Sequence, residues 1–246
     1  MRSFVTQVER YHERRDQPSQ EGTARLSPHL HFGEVSPASV WHMLAGTEAA
    51  KFRKELAWRD FAQGVIVDQP NLGDSHGRAG FADFPYRSGP DAEADLGAWR
   101  SGLPGYPIVD AGMRQLWVTG WMHNRVRMIA ASFLTKHLLI DWREGARWFW
   151  DTLIDADYAN NSLNWQWIAG SGLESSPFNR IMAPLVQSEK FAAGDYIRRW
   201  VPELAHVPDA AIHDPHEAGA AASYPVKLIG HREGRERALA ALASVR

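Results

Sequence analysis

The sequence predicts an all-α fold, with one domain over residues 1–246. Three observations lead there. Capping residues and first-turn prolines recur along the chain, apolar residues return at helical spacing, and no alternating run of useful length reads as a strand.

Taken in order, Ser36-Pro37 is an N-cap followed by proline at the first helical position, and Gly46 is placed to close that helix. Residues 48–68 read as a second helix, stopped before Pro70. Residues 71–104 are rich in Gly, Pro, Asp and Ser and read as a long irregular connection. Pro107 opens the next helix, with Val109, Met113 and Leu116 on one face. Val126, Ile129, Phe133 and His137 form another helical stripe. Asp141 and Glu144 make a capping box for a helix through Leu153. Residues 180–199 mix loop and helix, 208–225 read as loop, and 231–244 as a polar to Ala-rich helix.

Composition narrows the function classes. The chain has 246 residues, 44% of them apolar, enough for a real core. The formal net charge of -2 gives no overall basic signature, so any nucleic-acid site has to be a local patch. There is no cysteine, which excludes disulfides, thiolate zinc sites and iron–sulfur clusters. The 11 histidines show no HExxH-type spacing, and no metal site is expected. Residues 1–20 lack a signal-peptide core, and no apolar run approaches the roughly 18 residues of a membrane span. The 11 tryptophans are the odd feature. The count alone favours a tryptophan-rich core; the sharper alternative is aromatic surfaces for stacking or electron transfer.

Four segments carry chemistry. They are Gly22-Thr-Ala-Arg-Leu-Ser27, Lys54-Glu-Leu-Ala-Trp-Arg-Asp60, the pair Gly105-Tyr-Pro-Ile-Val-Asp-Ala-Gly-Met-Arg114 and Gly120-Trp-Met-His-Asn-Arg-Val-Arg-Met128, and Asp155-Ala-Asp-Tyr-Ala-Asn-Asn-Ser-Leu-Asn-Trp-Gln-Trp167. Thr23 and Ser27 offer hydroxyls, beside backbone amides that can meet an anion at a helix start or serve as a simple cap. Asp155 and Asp157 are either surface charges or acceptors. Glu55 and Trp58, three apart, share a helix face, and Trp58 alone reads equally as a core anchor. Trp165 and Trp167, two apart on a helix, point in different directions. Arg125, Arg180 and Lys190, taken singly, are ordinary solvated charges.

In this order and spacing the segments resemble the photolyase/cryptochrome family, over about Tyr11 to Trp200, and among its members the class I cyclobutane pyrimidine dimer photolyases. The resemblance implies the FAD-binding, all-helical catalytic domain of such an enzyme, which uses blue light and reduced FAD to split cyclobutane dimers in ultraviolet-damaged DNA. It implies that Tyr11, Thr23, Ala24, Arg25, Leu26 and Ser27 wrap the cofactor. Ala24 stands where the family more often has Ser, so one hydroxyl contact is lost. Glu55, Arg59, Asn124, Arg127, Asp155, Asp157 and Asn161 complete the cofactor set, with Asp155 paired to Arg127 and Asn161 facing flavin N5. Trp165 is implied as the flavin-proximal member of an electron-transfer chain and Trp142 as the next. The third, surface tryptophan of the family should lie in residues 71–104. No tryptophan precedes Trp99 there, and Tyr86 is the best substitute.

For the substrate, the resemblance implies Trp58 and Trp167 as two walls for a flipped-out dimer, with Glu55 bonding a base edge. Asn124 and Met128 line the pocket, and Arg125, Arg180 and Lys190 contact the DNA backbone. Neither Asn124 nor Met128 is a proton donor of the kind that (6-4) repair requires, and His123, one residue along the helix, reads as structural. Cyclobutane repair without (6-4) repair is therefore expected. The rival is a cryptochrome-like light sensor without repair activity, against which Asn161, Glu55, Trp58, Met128 and Trp167 argue. The α/β antenna domain with which family members begin has no counterpart here, so no antenna chromophore is expected on this chain. The remaining expectations are a monomer in the cytoplasm, with no membrane.

Overall fold

The computed structural model describes residues 2–5, 7–45, 48–173, 178, 180–220 and 223–245. Among them every regular element is helical, as the sequence predicts. The order is α1 (Arg2–Val5), α2 (Tyr11–Arg14), α3 (Ser27–His31), α4 (Pro37–Met43), α5 (Ala50–Asp68), α6 (Pro90–Arg100), α7 (Pro107–Thr119), α8 (Asn124–Ser132), α9 (Trp142–Thr152), α10 (Tyr158–Ala169), α11 (Pro184–Lys190), α12 (Gly194–Trp200), α13 (Asp209–Ile212) and α14 (His231–Ala243). A π-helical turn, Phe133–His137, continues α8.

The cap expectations are met in part. The Ser36 side chain accepts from Ser39 N at 3.0 Å and starts α4. Gly46 lies outside the described residues. Asp141 caps α9 by accepting from Arg143 N at 2.9 Å. Glu144 does not close a box: its carboxylate turns outward to Arg100 and Arg147. The larger correction is α6, which occupies 11 residues of the stretch expected to be irregular. Pro90 sits in its first turn with Asp91 and Glu93, and Arg100 ends it, a charge order that suits the helix dipole.

The main core is built from α7, α8, the π turn, α9, α10 and α12. Val109, Met113 and Leu116, and Val126, Ile129, Phe133 and His137, are all buried, so both predicted stripes face it. Helices α9 and α10 meet at Gly145, where any Cβ would overlap the Trp165 indole. Smaller clusters join α1, α2, α4 and α5, and α14 with residues 81–84. Gln166 is fully buried. Its amide donates to Leu72 O at 2.5 Å and Ser75 O at 2.9 Å and accepts from Gly77 N at 2.7 Å. That fastens the 72–77 loop across α10.

Candidate functional site

A cavity of about 460 Å³ opens between α5, α8, α9 and α10. Helix α5 brings Glu55 and Trp58, three apart and so on one face. Helix α8 brings Asn124, Arg127 and Met128, and α10 brings Asn161, Trp165 and Trp167, with Asp155 and Asp157 just ahead of it. These 10 residues, drawn from three of the four segments, were expected at one site on sequence grounds, and the fold brings them together.

The polar floor centres on Asp155, whose side chain is 2% exposed. Arg127 grips it in a fork, Nη1 to Oδ1 at 3.1 Å and Nη2 to Oδ2 at 2.9 Å, and Ser27 Oγ donates to Oδ2 at 2.5 Å. Burial opposes ionisation of Asp155, but Arg127 and the Ser27 hydroxyl outweigh it and hold the carboxyl below its ordinary value. Asp157 caps α10, accepting from Asn160 N at 2.9 Å, and also receives Arg59 at 3.3 Å and Gln63 at 3.1 Å. Arg59 thus reaches the site through Asp157. The Asn161 amide nitrogen donates to Ala146 O at 2.9 Å. What it offers the cavity is therefore its carbonyl oxygen, an acceptor.

The walls are aromatic. Trp58 is 46% exposed, which argues against a core anchor, and Phe61 supports it edge-on, with ring centroids 5.5 Å apart. Trp167 is half-buried, with the Arg180 guanidinium 5.7 Å from its ring centre. Trp165 is buried against Phe149 and Trp99, with centroids at 5.0 and 6.3 Å. Trp142 is fully buried and lies outside the cavity lining.

The 23–27 segment behaves differently from a plain helix cap. Leu26, not Ser27, holds the N-cap position of α3, and the Ser27 hydroxyl goes to Asp155. Thr23 and Arg25 line a second, smaller cavity of about 230 Å³, together with Trp121, His123, Tyr196 and Arg199. Arg25 has a left-handed backbone, φ 49°, a strained state for a non-glycine residue, and stacks 4.7 Å over Trp121. His123 caps α8, its Nδ1 accepting from Arg125 N at 3.2 Å, so Nε2 carries the proton; that atom is buried without a partner among the described residues. Burial pulls His123 down to about 4, and the residue lines the smaller cavity and not the main one.

Ala24 and Leu26 pack against the cluster that contains Tyr11. Burial pushes the Tyr11 phenol up to about 12. Arg125 is not a free cation: it pairs with Asp16 at 2.8 Å and lies 4.5 Å over Phe191. Arg180 and Lys190 are exposed. Among the charged residues lining the cavity, one escaped the sequence reading. Arg15 hydrogen-bonds the Glu55 carboxylate, from 40 positions away, and lines the cavity beside it. Its place four residues after Tyr11, one helical turn on, was the only local signal.

A family model described as the FAD binding domain of DNA photolyase matches residues 52–244. A deoxyribodipyrimidine photo-lyase of Agrobacterium fabrum is 50% identical, over 96% of this chain and 52% of that protein. One from Escherichia coli is 44% identical, again over 96% and 52%. Among solved structures, a bacterial class III photolyase from Agrobacterium tumefaciens superposes with a TM-score of 0.92 at 49% identity, covering 98% of this chain and 54% of that one. A Synechocystis cryptochrome superposes with a TM-score of 0.86 at 32% identity, over 96% and 52%. The chain thus spans about half the length of the curated relatives it matches.

Proposed function

The chain belongs to the DNA photolyase FAD-binding family, and from that premise we propose that it splits cyclobutane pyrimidine dimers in ultraviolet-damaged DNA with reduced FAD and blue light. The observation that carries the reading is the main cavity, where Trp58 and Trp167 stand as two accessible indoles over a polar floor of Asn124, Asp155 and Asn161. Its volume falls within the usual range for a cofactor site, about 300–1,000 Å³.

The residues fit FAD on two counts. The ionised Asp155 and the Asn161 carbonyl supply acceptors for ring N–H groups, while Phe149, Leu163 and Trp165 supply flat apolar contact. The smaller cavity offers an anionic pyrophosphate Thr23, Arg25, Arg199 and a His123 N–H with no partner among the described residues, against the carboxylates of Glu21, which pairs with Arg25 at 3.0 Å, and Asp195. Bound and reduced, FAD would supply the light-driven one-electron chemistry that opens the dimer. The protein's own work is positional. Asn161 presents an acceptor without adding charge, and the two indoles hold an extruded dimer by stacking, worth about 1–3 kcal/mol per base. Glu55, held by Arg15, presents a carboxylate to a base edge. Arg180 and Lys190 meet the backbone phosphates, and Arg125 joins them if Asp16 releases it.

Against the class I expectation stands the class III photolyase structure, which matches over nearly the whole chain. The working unit is proposed as a monomer in the cytoplasm; among the described residues no helix is long and apolar enough to cross a membrane. The rival reading, a light sensor without repair, draws on the likeness to a cryptochrome. One experiment separates them. The purified chain is examined for flavin absorption, reduced chemically, and illuminated with a thymine-dimer oligonucleotide. Restoration of intact thymines supports repair; flavin without restoration supports the sensor.

A further inference from the structure

Trp142 is fully buried, but its indole N–H is engaged. Nε1 donates to Nδ1 of His76 at 3.3 Å, and the rings meet edge-on with centroids 6.0 Å apart. His76 is half-buried and sits on the 72–77 loop that Gln166 fastens to α10. On its other side the Tyr86 ring lies parallel to it, 11° off and 6.3 Å away. The Tyr86 hydroxyl is buried with no hydrogen-bond partner among the described residues.

We propose that His76 is the proton acceptor for oxidised Trp142, so that the electron chain ends at this pair instead of passing to a third aromatic residue. The proposal rests on the reading of Trp165 and Trp142 as an electron relay. A photoexcited oxidant of the flavin class in the main cavity takes one electron from Trp165, and Trp142 replaces it. Trp142 is then one electron short, and its N–H bond is acidified. That bond breaks with its electron pair left on the indole nitrogen, and the proton bonds to His76 Nδ1. The products are a neutral indolyl radical, an imidazolium and a singly reduced oxidant. A one-electron reductant of the thiol class later returns the electron, and the imidazolium returns the proton.

Geometry excludes the other exits. Trp142 has no exposed surface from which to lose a proton to water. A phenol gives up an electron readily only as its proton leaves, and among the described residues the Tyr86 hydroxyl has no acceptor; burial raises its pKa further. His76, by contrast, reaches both the indole and solvent. The charged groups around it are Arg143 and Asp141 at the start of α9 and Asp74 on its own loop, whose carbonyl accepts from Arg143. Burial first, then Arg143, lower its pKa against the opposing pull of Asp141, so the ring is neutral and able to accept at neutral pH.

The test is transient absorption of the FAD-loaded chain after a light pulse, which distinguishes a protonated from a deprotonated tryptophan radical. The wild type is expected to form the deprotonated radical near neutral pH, with a solvent isotope effect, and the protonated one in acid, where His76 is charged. His76→Phe is expected to leave the radical protonated and to shorten its life by about 100-fold, the lower end of what a positioned base contributes. A wild-type radical that stays protonated, or a His76→Phe radical unchanged in spectrum and lifetime, overturns the proposal. Trp142→Phe identifies the cause of failure: if that variant gives the wild-type signal, the relay reading itself is wrong. A readout without cofactor is the indole N–H resonance of Trp142. It should move as His76 titrates and should shift in His76→Phe while other indole signals hold; a resonance indifferent to both also overturns the assignment.

Discussion

At Asp155 a buried charge is tolerated because two donors meet it, and the two ways of breaking the pair should differ. Arg127→Ala leaves a carboxylate inside the protein without its fork, and is expected to cost about 3–5 kcal/mol in urea unfolding. Asp155→Asn leaves only the more accessible Arg127 and should cost less. The sign with pH follows from the depressed carboxyl. Its contribution to stability is complete above the ordinary value of 3.8 and is lost as pH falls through the lower folded value, so the wild-type advantage over Asp155→Asn should shrink in acid unfolding experiments. At the walls, Trp58→Ala or Trp167→Ala should weaken dimer binding by about 1–3 kcal/mol with FAD content unchanged; loss of FAD would reinstate the core-packing reading. Trp165→Phe should block photoreduction of oxidised FAD while sparing repair after chemical reduction. The sequence made these side chains visible because each carries a recognisable chemical type in a local motif. Arg15 carried no such mark: its partner Glu55 is 40 residues away, and only the fold pairs them.

Helices declare themselves in the sequence where their ends are chemically marked. Helices α4, α7 and α14 were legible from Ser36, Pro107 and the polar to Ala-rich 231–244 stretch. Helix α6 was not, because the Gly and Pro around it obscured a good start signal: Pro90 in the first turn with two acids after it. Glu144 shows the opposite error, a correct spacing whose side chain found better partners in Arg100 and Arg147. The contact that seats Trp165 was also hidden, since Gly145 inside a helix looks like a mere weakness. In the fold it lets the indole lie on the α9 backbone. Gly145→Ala is therefore expected to destabilise by about 1–3 kcal/mol, through overpacking. A melting curve and the rate of flavin photoreduction check it together. A variant at least as stable as wild type with unchanged photoreduction would show that the indole has room to move.

Across the whole molecule, the proposed function makes the choice of DNA lesion a matter of pocket chemistry. With no acidic side chain of histidine type among Asn124, Met128 and the indoles, blue-light assays on matched oligonucleotides should show cyclobutane repair and no (6-4) repair. Binding should still depend on salt despite the net charge of -2, and Lys190→Ala should lower the salt slope by about 0.9 on duplex DNA if it neutralises one phosphate. The Gln166 fastening reaches furthest. It lies between Trp165 and Trp167 in sequence, on the opposite side of α10, and clamps that side to the 72–77 loop. Trp165, Trp167 and the loop therefore share one support, and the helix is expected to couple them. A lesion arriving at Trp167 should be felt both at Trp165 and in the loop. Damaged DNA, and not intact DNA, should slow amide exchange at residues 72–77, although none of them lines the cavity.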